Sequence, residues 1–243
     1  MLKKVKADLH IHTCLSPCGD LEMSPQNIVT QAKTKNIDVL GICDHNSAEN
    51  VPAVKKAAKK QKVHVLPGME VTTQEEVHIL ALFNNISSVF KLQKTIYKNL
   101  PGENDDKTFG LQVAVNELGE VLHLNKHLLI GATTLPLEEI IKLIHSLEGL
   151  AIASHIDRQA FSIISQLGFI PDTLKVDALE VSPLLSLAEA KKRYKPELPL
   201  VCFSDAHYLK DIGQCYTFFY IEKTSIQEIK KAFLNQGGRK VMN

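Results

Sequence analysis

Residues 5–12 read VKADLHIH, and the reading of this run decides the fold. It is short, apolar and bounded by polar sequence, which is the signature of a β-strand. A two-residue period puts Asp8, His10 and His12 on one face and Leu9 and Ile11 on the other. A strand with two imidazoles along one face makes half of a polar site. The run continues into ADLHIHTCLSPCGD, residues 7–20, which adds Cys14, Cys18 and Asp20.

The same design recurs along the chain. Residues 38–45 (DVLGICDH), 64–71 (HVLPGMEV), 77–83 (VHILALF), 150–156 (LAIASHI), 178–182 (ALEVS) and 200–207 (LVCFSDAH) also read as strands. Amphipathic stretches lie between them: SPQNIVTQAKTKN from Ser24, VPAVKKAAKKQK from Val51, PLEEIIKLIHSLEG from Pro136, RQAFSIISQLG from Arg158 and TSIQEIKKAFLNQGG from Thr224. Ser24 stands at an N-cap with Pro25 in the first helical position. Strands alternating with helices imply a mostly parallel sheet with crossover helices, either a barrel or an open doubly wound sheet. Residues 101–131 break the rhythm and read as a β-hairpin excursion around the turn-like NELGE, following an acidic loop expected to be mobile. A single domain over residues 1–243 is expected, with this excursion as a lid or a plain insertion.

Composition narrows the function. Apolar residues make up 44% and charged residues 23%, the balance of a soluble globular protein. A formal net charge of +1 gives no electrostatic footprint for nucleic acid or an anionic membrane. No apolar run reaches the length of a membrane span, and MLKKVKADLH lacks the apolar stretch of a signal peptide. Five scattered cysteines in a chain of 243 residues point to reduced thiols and a cytoplasmic location. Cys14 and Cys18 are spaced CxxxC, a poor match to the CxxC of redox pairs.

Nearly every strand-like run carries a metal-ligand residue type at one end: His10 and His12, Asp44 and His45, Glu70, His155, then Asp205 and His207. In α/β folds the carboxyl ends of strands face the functional mouth. His78 opens its strand instead, but EVTTQEEVH is symmetric about Gln74, so an antiparallel reversal there would set Glu70 beside His78. One strand histidine is ordinarily a packed or solvated residue. Six of them with several carboxylates would be a costly way to build a core. Mixed imidazole and carboxylate donors suit zinc, manganese or iron, and Glu70 can bridge two ions.

The ordered set DLHIH, CDHN, GMEVTTQEEVHIL, ASHIDR and FSDAH resembles the four motifs of the polymerase-and-histidinol-phosphatase (PHP) superfamily, from Ala7 to about Gly213. The resemblance implies a distorted seven-stranded (β/α)7 barrel with two or three divalent metal ions. It implies His10, His12, Glu70 and Asp205 on one metal. The motif-one acid, His45 and His207 would hold a second, and Glu70, His78 and His155 a third. The family form SDG is replaced by SPCGD, so a short loop insertion leaves Asp20 as the acid, with the Cys18 thiolate as its competitor. Asp8 and Asp44 are expected to orient histidines rather than bind metal.

Clustered metals sharing a carboxylate suit phosphoester hydrolysis through a metal-bridged hydroxide. The expected enzyme is a metal-dependent phosphoesterase, and its expected partner is a small phosphorylated metabolite or nucleotide, of the histidinol phosphate or nucleoside bisphosphate type. Nucleic acid and membrane are not expected partners. Arg158 could fork a phosphate, and Asp205 or His207 could protonate the leaving group. Rival readings are cleavage of an amide or cyclic ester, a metal-binding sensor without catalysis, and a thiol redox protein. His64, His123, His127 and His145 are expected to pack or be solvated.

Overall fold

The computed structural model describes residues 1–59 and 61–242. In chain order the elements are β1 (Lys3–Ile11), α1 (Pro25–Thr34), β2 (Val39–Ile42), α2 (Val51–Ala58), β3 (His64–Thr72), β4 (His78–Leu82), α3 (Ile86–Lys98), β5 (Val113–Val115) and β6 (Val121–Leu124). They continue as α4 (Leu137–Ser146), β7 (Leu150–Ala153), α5 (Ile163–Leu167), β8 (Ala178–Val181), α6 (Leu187–Tyr194), β9 (Leu200–Cys202), β10 (Thr217–Ile221), α7 (Ile226–Phe233) and β11 (Lys240–Met242). The helix expected over 51–62 includes Lys60, which lies outside the described residues.

One sheet has the order β11-β10-β1-β2-β3-β4-β7-β8-β9. Its run from β1 to β9 consists of the seven strands expected from sequence. That run curls until its ends meet: Ile11 bridges Ala206, with His12 N–H donating to Ala206 O at 3.0 Å and Ala206 N–H donating to His10 O at 3.2 Å. The sheet is therefore a nearly closed seven-stranded barrel with two further strands attached. β1 is long enough to serve two neighbours, since Lys3–Ala7 pairs with β10 while its far end meets the segment after β9.

The expected mostly parallel sheet is interrupted at β4, which is antiparallel to both β3 and β7. The link between β3 and β4 is too short for a parallel crossover, so the chain reverses. Thr73 and Val77 close that turn, with Val77 O accepting from Thr73 N–H at 2.9 Å. The excursion is present as the β5–β6 hairpin. It is tied to the loop after β1, where Val113 N–H donates to Cys14 O at 3.0 Å, and to α2, where Asn50 Oδ1 accepts from Val115 N–H at 2.9 Å.

Strand alternation divides the core. Ile79, Ala81, Ala151 and Ala153 join the cluster that includes Ile28 of α1, Val54 of α2, Leu92 of α3 and Ile140 of α4. Leu80, Leu82, Leu150 and Ile152, from the opposite faces of the same strands, join Phe203, Phe219 and the α7 residues Ile226, Ile229 and Phe233. Each fully buried side chain of this kind contributes about 1.5–3 kcal/mol. Glu70, His78 and Glu180 fall at positions that alternate onto this second face, so the barrel places ligand-type residues on the face its apolar residues have already enclosed.

The expectation of five reduced thiols is corrected for one pair: Cys202 and Cys215 form a disulfide with Cα atoms 5.8 Å apart. Spacing along the chain could not show that β9 lies beside the start of β10, where Cys202 N–H donates to Thr217 Oγ1 at 3.0 Å. No described helix is long and apolar enough to cross a membrane.

Candidate metal centre

Glu70 is the hub of the site. Its carboxylate lies 3.3 Å from His10 Nε2, 3.4 Å from His12 Nε2, 3.1 Å from His45 Nδ1, 3.1 Å from His78 Nδ1 and 3.3 Å from His155 Nε2. Asp205 Oδ1 lies 3.1 Å from His10 Nε2 and 3.2 Å from His12 Nε2. Three overlapping groups have donor atoms within 4.8 Å of one another: His10, His12, Glu70 and Asp205; His12, His45 and His207; and His45, Glu70 and His78. The first brings together the four residues expected on the first metal.

The strand ends supply these side chains, and backbone bonds fix their aim. Glu70 N–H donates to Asp44 O at 3.1 Å and Asn46 N–H to Glu70 O at 2.8 Å, locking β3 to the loop after β2. His155 and Asp205 have φ of +27° and +48°, in a region that non-glycine residues seldom occupy. Strained backbone of this kind persists where surrounding structure holds it, and it collects at functional sites.

Other polar groups hold the ligands in place. Glu180, inside β8, puts Oε1 and Oε2 both 3.0 Å from His10 Nδ1. His12 Nδ1 meets Ser16 Oγ at 2.9 Å, and Ser16 Oγ donates to Asp44 Oδ1 at 2.8 Å. Asp44 thus orients a histidine through a serine. Asp8 does not orient one: it accepts from Ser204 N–H at 3.0 Å and Gly213 N–H at 2.8 Å, gripping the loop that carries Asp205 and His207. Glu180 was missed by the sequence reading, although a lone acid within the apolar run ALEV was the available signal.

The site is electrostatically crowded. Burial opposes charge on His10, yet Asp205, Glu180 and Glu70 outweigh it and raise its pKa well above the usual range. His12 is raised to about 9 by the carboxylates of Asp205 and Glu70 against the cost of burial. Burial drives His78 down to about 4 despite Glu70. Burial and the His12 charge take His207 down to about 3. Glu70 and Asp205 are held well below the carboxylate range, overcoming burial, by nearby histidines. His45 Nδ1, His78 Nδ1, His155 Nδ1 and Glu70 Oε1 are buried without a hydrogen-bond partner. Such atoms are costly in a plain core. Imidazole nitrogens and carboxylate oxygens converging in this way fit divalent metal ions.

Not every expected ligand joins the cluster. Asp20 stands outside it: Oδ1 accepts from its own neighbour Glu22 N–H at 2.8 Å, the local turn an aspartate readily makes. Cys18 instead lines the cavity with His45 and His207. His78 reaches Glu70 by a different register, because the hairpin pairs Glu70 with Leu80 and Thr72 with His78. The reversal is centred on Glu75, and the contact is diagonal. Arg158 lines the cavity and sets Nη1 2.6 Å from Asp205 Oδ2, while Asp157 turns away to Ser182. His145 pairs with Asp177, His123 with Glu49, and His127 stacks on Tyr97.

The centre opens into a cavity of about 750 Å³ whose wall includes Arg158, Arg193, Phe161 and Leu184. The Phe161 ring stacks on His78 with centroids 4.6 Å apart, at φ +56°.

A nearly closed barrel carrying a histidine–carboxylate cluster at its strand ends defines a class of metal-binding β/α proteins. Within it, this chain belongs to the PHP domain family, whose model matches residues 8–167. It is similar to an uncharacterized protein of Methanocaldococcus jannaschii, 38% identical over 103 residues, covering 39% of this chain and 60% of that protein. It is also similar to a 5'-3' exoribonuclease of Haemophilus influenzae, 28% identical over 110 residues, covering 42% of this chain and 39% of the relative. In both matches the shared region is less than two thirds of the relative's length. Among solved structures it resembles the lesion-specific endonuclease of Pyrococcus furiosus, with TM-score 0.71 and 22% identity over 99% of this chain and 58% of that one. At that identity the likeness concerns the fold.

These relatives correct one expectation. Nucleic acid was set aside because the net charge is near zero, yet one relative is an exoribonuclease and a protein of similar fold is an endonuclease. Net charge averages over the whole surface, whereas a phosphate meets the local field, and here Arg158 and Arg193 both line the cavity.

Proposed function

We propose that the chain is a metal-dependent phosphoester hydrolase acting on a nucleic acid or a nucleotide. The observation that carries this reading is the convergence of five histidines on Glu70 beside a cavity lined by two arginines and an aromatic ring. Divalent ions held there would neutralise charge on the phosphoryl oxygens and lower the pKa of an attacking water.

The chain's own residues do the rest. His10, His12, Glu70 and Asp205 would hold one ion, while His45, His78, His155 and His207 would serve its neighbours. Glu180 keeps His10 in the tautomer that offers Nε2 to the centre. Arg158 draws a phosphate to the side of Asp205. With Asp205 engaged by a metal, that fork would be free for the substrate. His207 Nδ1 lies 3.0 Å from Asp205 O, leaving Nε2 for a metal or a leaving group. Phe161 offers a π-face on which a base can stack, a contact worth about 1–3 kcal/mol per base. The substrate names printed for the relatives support the nucleic-acid side of this reading.

The test loads chelator-treated protein with zinc, manganese or iron and offers it single-stranded RNA, single-stranded DNA, duplex DNA and a panel of phosphomonoesters. Metal-dependent cleavage of a nucleic acid or nucleotide is the expected result. Phosphate release from non-nucleotide monoesters alone would assign a small metabolite instead. Turnover of amides alone would move the chemistry off phosphorus. Loaded protein inert to all of them would mark a sensor.

A further inference from the structure

The group formed by His12, His45 and His207 contains no carboxylate of its own, whereas each of the other two groups contains Glu70. A divalent ion bound by neutral imidazoles alone keeps its full charge in a buried setting. An anionic ligand at this position removes that cost. The family motif fills it with an aspartate, and Asp20 is the residue that the sequence offered. The structure assigns the place to another side chain.

We propose that Cys18 is the thiolate ligand of the metal held by His45 and His207, so that this position takes zinc or iron in preference to manganese. The assignment rests on the metal-centre reading above and names the ligand which that reading left open. Two observations carry it. Cys18 lines the cavity together with His45 and His207, and Asp20 does not. His45 is buried with Nδ1 3.1 Å from Glu70 and in no hydrogen bond, so this nitrogen faces the same centre.

The loop also leaves little room for the alternative. Gly19 N–H donates to Ser16 O at 2.8 Å, and a Cβ at Gly19 would meet Thr13 O at 2.5 Å. The chain between Cys18 and Asp20 is therefore pressed against the end of β1, where only glycine fits. Asp20 N–H donates to His207 O at 2.9 Å, and Oδ1 of its carboxylate accepts from Glu22 N–H at 2.8 Å. Exchanging Cys18 for Asp20 at the centre would require this turn to be rebuilt. The other free thiols among the described residues are Cys14 and Cys43, both buried. Neither of them lines the cavity. A thiolate donor biases a borderline ion such as zinc over oxygen-seeking manganese.

Cobalt(II) is the probe, because a thiolate ligand gives it a charge-transfer absorption in the near ultraviolet. Chelator-treated full chain is titrated anaerobically with cobalt(II), and zinc content is measured in parallel by elemental analysis. Wild type and Asp20→Asn should show the band, since asparagine keeps the local turn. Cys18→Ser should lose the band and bind one zinc fewer per chain. Cys18→Asp should lose the band but regain the ion, now with manganese accepted. Full cobalt binding without the band in wild type overturns the assignment and leaves the metal centre standing. A band that survives Cys18→Ser, or loss of the ion in Asp20→Asn alone, overturns it equally. Failure of wild type to bind cobalt at all defeats the metal centre itself, and this proposal with it.

Discussion

Glu180 places both carboxylate oxygens 3.0 Å from Nδ1 of His10, from a strand on the far side of the barrel. The contact fixes the imidazole so that Nε2 faces Glu70 and Asp205, and it makes that nitrogen more basic toward a metal. Glu180→Gln keeps the shape and removes the charge. It should weaken metal binding by about 10–100-fold, the usual effect of removing such an orienting partner. Competition with a fluorescent chelator reads this directly. An unchanged affinity would reduce Glu180 to a packing role.

Arg158 gives a second expectation. Its charge-assisted contact to a phosphate should contribute about 1.5–3 kcal/mol, so Arg158→Ala should lower kcat/KM on a phosphate ester by roughly 10–150-fold. Arg158→Lys should recover only part of that, because an ammonium cannot form the planar fork. Metal content should stay at the wild-type level in both variants, separating this residue from the ligands.

Metal uptake should depend on pH in one direction. His12 and His45 titrate near 9 in the metal-free fold, and a metal needs them neutral. Binding must therefore release protons at neutral pH, and affinity should climb with pH until it levels above about 9. Calorimetry in buffers of different ionisation enthalpy measures the released protons. The same raised values mean that the metal-free fold gains stability from these protons below about 6.5 and loses it as pH rises through about 9. Melting of chelated protein across that window checks the sign.

Gly41 tests the barrel itself. A Cβ there would meet Leu9 O at 2.3 Å, where β1 and β2 run side by side. Gly41→Ala should destabilise the fold by about 1–3 kcal/mol or more, and chemical denaturation should show it. A neutral effect would mean that the two strands can separate freely.

The seven barrel strands were legible because each is a short apolar run, and the first metal's ligands because they stand at the ends of those runs. Helix α3, from Ile86 to Lys98, was not read as a helix: Ser87 and Ser88 open it without the proline or first-turn acids that mark other helices. Asn85 caps it through Ser88 N–H, a signal only three-dimensional geometry confirms. Helix α6 and strand β10 were passed over too. The centre of the hairpin lies one residue on, at Glu75, and the partner of Glu70 two residues on, at Leu80, because palindromic spacing about Gln74 says nothing of where the turn's backbone closes. Asp20 was preferred over Cys18 on motif grounds; that Cys18 and not Asp20 lines the cavity follows from the course of the loop around Gly19, set by contacts with Thr13 and Ser16. Glu180 lay in plain view, but its partner is 170 positions away in sequence.

The join between the first and last barrel strands has one further consequence. Among the described residues only Ile11 and Ala206 bridge there, and Ala206 sits between Asp205 and His207. An ion gripped by His10 and His12 on one side and by Asp205 on the other would act as a rivet through that join. Loading the centre and shutting the barrel would then be a single event, and stripping the metal would loosen the molecule where its two ends are stitched together.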